Sequence, residues 1–212
     1  MESVRLWRMP LVAYILSQTP EEIPLPRLFV AIDTPAAVRP ALIEIRDRLR
    51  AERNEVRWES DEKLHCTLKF LGETRQESVP RIVASLKEVS RAGTPLTVTY
   101  AGMGCFPDRR DPRIIWAGIH DTGGALATLT RSIDMAMAQH GFGREKRPFH
   151  PHVTLGRVKG RRGLKELLAT LETITFDCPP VVIQEIMLVQ SELRPSGSVY
   201  SIVERIALDI GQ

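Results

Sequence analysis

Four residues stand out for the chemistry they could do: His65 and Thr67 in HCTL (65–68), and His152 and Thr154 in HVTL (152–155). The chain holds only five histidines, so the same H-x-T-L phrase is not expected twice by accident. It asks for a duplicated fold or a duplicated chemical task. Imidazole titrates near neutrality, so one ring can take a proton while another gives one. A threonine hydroxyl can donate a hydrogen bond to a phosphate oxygen. Two imidazoles and two hydroxyls can therefore hold a phosphodiester, activate an attacking oxygen and protonate a leaving oxygen. Each such proton transfer is worth roughly 10²–10⁴-fold in rate. A single H-x-T would read as a half-buried histidine beside a threonine that favours strands. The duplication shifts the reading to catalysis or anion binding.

The elements around the motifs say how they are held. KLHCTLKFLG (63–72) and HVTLGRV (152–158) alternate as strands do. Successive side chains in a strand point to opposite faces, which places His65, Thr67 and Lys69 on one face. Cys66, Leu68 and Phe70 then form the core face. By the same rule His152 and Thr154 lie opposite Val153 and Leu155. RLFVAID (27–33) reads as a buried strand, and VRWES (56–60) as a short one. TPLTVTYAGMGCF (94–106) and RIIWAGIH (113–120) read as strands about a polar turn. VVIQEIMLVQSEL (181–193) and SVYSIVERIALDI (198–210) read as two long strands around RPSG. Helical spacing runs through 36–52, 75–93, 126–141 and 163–174. Each half thus carries an H-x-T strand, helices and further strands, with no Pro/Gly/Ser linker between. The expected fold is α+β: a single bilobal domain over 26–212, two antiparallel sheets facing a central cleft, helices outside, and pseudo-twofold symmetry.

Residues 1–25 carry the apolar run LVAYIL, too short for a transmembrane helix and short for the core of a signal peptide. They read as an N-terminal extension outside the main fold. Hydrophobic residues at 43% and charged residues at 26% fit an ordinary globular protein and offer no membrane segment. The net charge of +3 suits an anionic ligand without marking a highly basic nucleic-acid tail. Three scattered cysteines without metal spacing point to a reducing, cytoplasmic setting. No cofactor or protein partner is called for, and a monomer is expected.

PRLFVAID, VRWESDEKLHCTLKFLG, RIIWAGI, RPFHPHVTLGRV and LVQSEL together resemble the RNA 2′,3′-cyclic phosphodiesterase branch of the 2H phosphoesterases, also called 2′-5′ RNA ligases. The likeness runs from about residue 27 to 210. It implies a bilobal fold with both motifs in a central cleft. It also implies metal-independent opening of a terminal 2′,3′-cyclic phosphate to a 2′-phosphate, with reversible 2′-5′ ligation in some members. Carried over by motif, His65 would be the proton donor and His152 the proton acceptor, with Thr67 and Thr154 on the phosphate. The resemblance also implies that Arg157, five residues after the second histidine, lies near the phosphate. Strict alternation would put Arg157 on the core face, unless Gly156 supplies a bulge that redirects it.

Lys69 is a further candidate for the phosphate, and Phe149, just before the second motif, for stacking on a terminal base. Trp58 and Trp116 read as core. His150 and His152 share strand spacing, but Pro151 disturbs the geometry and no familiar set of metal ligands surrounds them, so no metal is expected. The partners expected are RNA ends or small cyclic-phosphate nucleotides. Two other readings stay open: the same chemistry on ADP-ribose 1″,2″-cyclic phosphate, and a non-catalytic module that binds RNA or nucleotides.

Overall fold

The computed structural model describes residues 25–208, apart from 52, 94 and 196. The expected extension therefore lies, but for Leu25, outside the described residues. Nine strands and four α-helices follow one another as β1 (Arg27–Asp33), α1 (Arg39–Ala51), β2 (Val56–Trp58), β3 (His65–Glu73), α2 (Val79–Arg91), β4 (Leu96–Phe106), β5 (Ile114–His120), α3 (Ala125–Ala138), β6 (His152–Val158), α4 (Leu164–Thr173), β7 (Val181–Ile183), β8 (Glu185–Arg194) and β9 (Gly197–Ala207) among the described residues. The strands form two antiparallel sheets, ordered β3-β1-β8-β9 and β2-β6-β5-β4-β7. The α+β architecture with two antiparallel sheets is the one expected.

One boundary differs. The apolar run 181–193 reads as one strand, yet it divides at Gln184. β7 pairs with β4 in the five-stranded sheet, and β8 pairs with β1 and β9 in the four-stranded one. Continuous apolar character cannot reveal which sheet a residue joins, because both sheets bury one face against the same core.

That core is shared. Leu28, Val30 and Ile32 of β1 belong to the same buried cluster as Val153 and Leu155 of β6 and Ile133 and Met137 of α3. Burying a Leu or Ile side chain is worth about 1.5–3 kcal/mol, so this common layer binds the two lobes strongly. β3 and β6 meet where the sheets adjoin, and the backbone of His152 hydrogen-bonds the Cys66 sulfur. Burial pushes the Cys66 thiol up to about 12, so at neutral pH it is a packing group.

Both motif strands break alternation at the same place. Opposite β1, Ala31 pairs with Thr67 but Val30 pairs with Lys69, so Leu68 is an extra residue. Opposite β5, Trp116 pairs with Thr154 but Ile115 pairs with Gly156, so Leu155 is the extra residue. Each is a β-bulge, and each turns two consecutive residues inward. Leu68 and Lys69 are both buried, as are Leu155 and Gly156. Beyond the bulge the faces are exchanged.

This overturns the expected place of Lys69. Its side chain leaves the His65 face, is 6% exposed, and bonds the Asp134 carboxylate at 2.7 Å and the Gly143 carbonyl at 2.5 Å. Arg144 and the Glu145 N–H reach the same carboxylate. Lys69 thus ties β3 to α3 and to the loop that leads into β6. Phe70, expected in the core, is 72% exposed for the same reason. In the second motif Gly156 takes the position of Lys69. A Cβ there would lie 2.6 Å from Val56 and 2.8 Å from Trp58, so only glycine lets β2 close over the bulge.

Burial alone would raise the Asp134 pKa, but its bonds to Lys69, the Glu145 N–H and Arg144 outweigh this and hold it below the usual carboxylate value. A depressed carboxylate contributes stability that is present above its unfolded pKa and lost as pH falls through the folded one. Lys69→Met should lower unfolding free energy at pH 7 by about 3 kcal/mol, the lower end for a broken buried pair since Arg144 remains. Chemical denaturation should show the deficit shrinking as pH falls from about 4, the ordinary carboxylate value, through the depressed pKa of Asp134 in the folded wild type. A deficit independent of pH would contradict this account.

Candidate active site

The two imidazoles are held in the same way. His65 Nδ1 lies 2.7 Å from the Lys63 carbonyl oxygen, and His152 Nδ1 lies 2.7 Å from the His150 carbonyl oxygen. A carbonyl can only accept, so each Nδ1 carries the hydrogen and donates it. In the neutral rings Nε2 is then the basic nitrogen. At His65 the Thr67 hydroxyl lies 3.1 Å from Nε2 and donates to it while the ring is neutral. Among the described residues no hydrogen-bond partner meets His152 Nε2, whose lone pair is open. Thr154 lies two residues on, on the same strand face and half-buried.

Each ring has an apolar wall. Phe29 stacks on His65 with centroids 5.0 Å apart, and Tyr200 meets it edge-on at 5.5 Å. Phe106 meets His152 edge-on at 5.0 Å, and Trp116 lies against His150 at 4.9 Å. Trp116 therefore borders the site. The expectation that it is core fails because it pairs with Thr154 and shares its face. Gly104, opposite Trp116, leaves the space, since a Cβ there would fall 2.3 Å from the indole. Trp58 does pack against the core. Burial is the leading cause that lowers the pKa of both His65 and His152, with the backbone carbonyls opposing it.

Arg157 is where the bulge sends it. It lies beyond Leu155 and Gly156 on the face of Thr154, and its positive charge opposes protonation of both His65 and His152. Its Nε donates to Glu59 at 3.0 Å. The Glu59 charge favours protonated His65, so the Glu59–Arg157 pair acts on that ring with both signs.

Sequence reasoning passed over Glu59, Phe29, Tyr200 and Phe106. For Glu59 a signal was present: it stands two residues after Arg57 in VRWES, hence on the same strand face. The aromatic walls gave none, because their contacts depend on how the sheets meet. Phe149 is half-buried and packs against the main core. Lys69 is excluded by its buried pairing with Asp134. Among the described residues no group of three or more His, Cys, Asp or Glu side chains is placed to hold a metal ion.

The arrangement can move two protons at one bound anion. One Nε2 is free to accept, the other can donate once charged, and a guanidinium lies within electrostatic reach of both.

A family model described as LigT like Phosphoesterase matches residues 32–116 and 119–200, with one motif in each stretch. The chain is similar to the RNA 2′,3′-cyclic phosphodiesterase of Methanothermobacter thermautotrophicus, 33% identical over 181 residues, which are 84% of this chain and 96% of the relative. Among solved structures it resembles TT0787 of Thermus thermophilus, with TM-score 0.72, 28% identity, and 86% and 97% of the two chains covered. It also resembles Escherichia coli LigT complexed with 3′-AMP, with TM-score 0.69, 28% identity, and 88% and 99% covered.

Nitrogen-detected NMR of the imidazoles should show both His65 and His152 as neutral Nδ1–H tautomers at pH 7.5, each titrating below about 6.5. An Nε2–H tautomer at either ring would contradict the hydrogen-bond assignment.

Proposed function

We propose that this chain, which belongs to the LigT-like phosphoesterase family, hydrolyses the 2′,3′-cyclic phosphate at the end of an RNA to leave a 2′-phosphate. One observation carries the reading: two imidazoles, each fixed by an Nδ1–H bond to the carbonyl two residues before it, both lie within electrostatic reach of Arg157. Curated relatives named RNA 2′,3′-cyclic phosphodiesterase support RNA ends over a small nucleotide such as ADP-ribose 1″,2″-cyclic phosphate.

In the step we assign, His152 Nε2 takes a proton from water as the water oxygen bonds to phosphorus. The bond from phosphorus to the 3′-oxygen breaks, and His65 Nε2 gives that oxygen its proton. Thr67, Thr154 and Arg157 hold the phosphate oxygens. The open lone pair of His152 suits the acceptor. The Thr67 hydroxyl beside His65 Nε2 suits a donor that must be aimed. The incoming anion also opposes the burial that disfavours charged His65. Run in the same direction with the 5′-hydroxyl of a second RNA end in place of water, the step joins the ends through a 2′-5′ bond, and its reverse cuts that bond. A cytoplasmic monomer is part of this reading.

Purified protein in excess EDTA should convert a short RNA ending in 2′,3′-cyclic phosphate to a monophosphate end resistant to a 3′-specific phosphatase. An untouched cyclic end from folded protein would overturn the assignment. His65→Asn and His152→Asn should each lower kcat by roughly 10²–10⁴-fold while circular dichroism stays unchanged.

The pH profile of kcat/KM should be bell-shaped. Its alkaline limb follows loss of the His65 proton, so burial of that ring places the optimum below about 6.5. In kcat the bound phosphate raises that pKa and the limb moves up. A flat profile between pH 5 and 8 would rule out the pair.

A further inference from the structure

β2 brings a second arginine to the site. Arg57 lies directly opposite Arg157 across the β2–β6 pair, and residues opposite each other share a face. Its neighbours Val56 and Trp58 pack into the apolar layer behind the sheet. Arg57 therefore stands on the cleft side, exposed, and its positive charge reaches the Tyr200 phenol on the facing sheet. Two like charges directly opposite in a sheet are unfavourable unless an anion lies between them. Glu59 answers Arg157 at 3.0 Å. Nothing among the described residues answers Arg57.

The surroundings follow the same pattern. β2 is the edge strand, and beside it lies a concavity lined in part by Arg46, Arg50, Arg57, Glu59, Asp61 and Glu62. Each acid here is engaged: Asp61 by Arg46 at 2.5 Å, Glu62 by Ser60, and Glu59 by Arg157. Among the described residues the side chains of Arg50 and Arg57 have no ion-pair or hydrogen-bond partner. Two unpaired guanidinium groups thus line the concavity at the β2 edge, one of them opposite Arg157, whose charge reaches both imidazoles.

We infer that Arg57 forms a second phosphate subsite, which takes the internucleotide phosphate next to the cyclic end, with Arg50 further along the same track. This rests on the reading of the site as one for cyclic phosphate ends of RNA. It adds that the substrate is a chain, because a mononucleotide has no phosphate to place there. Arginines fanning from opposed Cα atoms about 5 Å apart can hold two neighbouring phosphates of one strand. Arg57 touches no reacting atom, so its effect falls on binding.

The test compares wild type and Arg57→Gln on two substrates, a mononucleoside 2′,3′-cyclic phosphate and a five-nucleotide RNA with the same end. The variant should raise KM about tenfold for the RNA, with kcat unchanged and mononucleotide kinetics unaltered. The slope of log(kcat/KM) against log[salt] for the RNA should flatten by about 0.7, the loss of one phosphate contact to a single strand. Equal losses on both substrates would mean general damage to the site, and no loss on RNA would mean a merely solvated arginine. Either result overturns the inference. Fluorescence anisotropy with the same RNA ending in a 2′-phosphate separates the two levels. If wild type opens neither cyclic end, the proposed reaction fails, while weaker binding by Arg57→Gln would still support the subsite and unchanged binding would reject it.

Discussion

The backbone carbonyls of Lys63 and His150 each accept a hydrogen from the imidazole two residues further on. Almost everything else about the site depends on this pair of contacts. They fix the tautomer, and so decide which nitrogen is basic. They also fix ring orientation, because a ring bonded at Nδ1 to its own strand has little freedom to swing. A proton carrier works only when its pKa and its position are both set. Here the carbonyl supports the charged form while burial opposes it, and burial prevails at both rings. In the proposed reaction the bound phosphate is the group that restores the balance.

The second constraint is the bulge after each motif. Without it, strand alternation would send Lys69 into the cleft and Arg157 into the core. With it, the buried lysine meets Asp134 and the guanidinium reaches the imidazoles. The same one-residue insertion thus has a structural use in one lobe and an electrostatic use in the other. The two lobes also fill their cleft faces differently. Ala31 lies opposite Thr67 in one, and Trp116 opposite Thr154 in the other, with Gly104 beside it to admit the indole. Similar backbones can therefore diverge in side-chain volume, because each volume is balanced by its own cross-strand neighbour.

Charge is placed by strand pairing. Arg57, Glu59 and Arg157 come to one face because β2 adds to the edge of β6 in a register that sets the two arginines opposite. Glu59 holds Arg157 and partly offsets its field at His65. Arg57 extends positive charge from Arg157 to the exposed edge strand. A mild net charge of +3 is enough for an anionic substrate when it is concentrated at a cleft in this way.

Much of this was legible in the residues alone. The repeated H-x-T, the strand alternation around it and the helical spacing between strands determine the two motif strands, the α+β class and the face shared by each His–Thr pair. Those are local properties, set by a period of two and by side-chain chemistry. Gly156 even marked where a bulge could turn Arg157. Tertiary structure decided the rest: that Leu68 carries a matching bulge, that 181–193 crosses between sheets, that Phe149 packs inward, and that Phe29, Tyr200, Phe106 and Trp116 wall the imidazoles. The physical reason is that a bulge is defined against the partner strand, and a wall by the angle at which two sheets meet. Neither the partner nor the angle is written in the spacing of one strand.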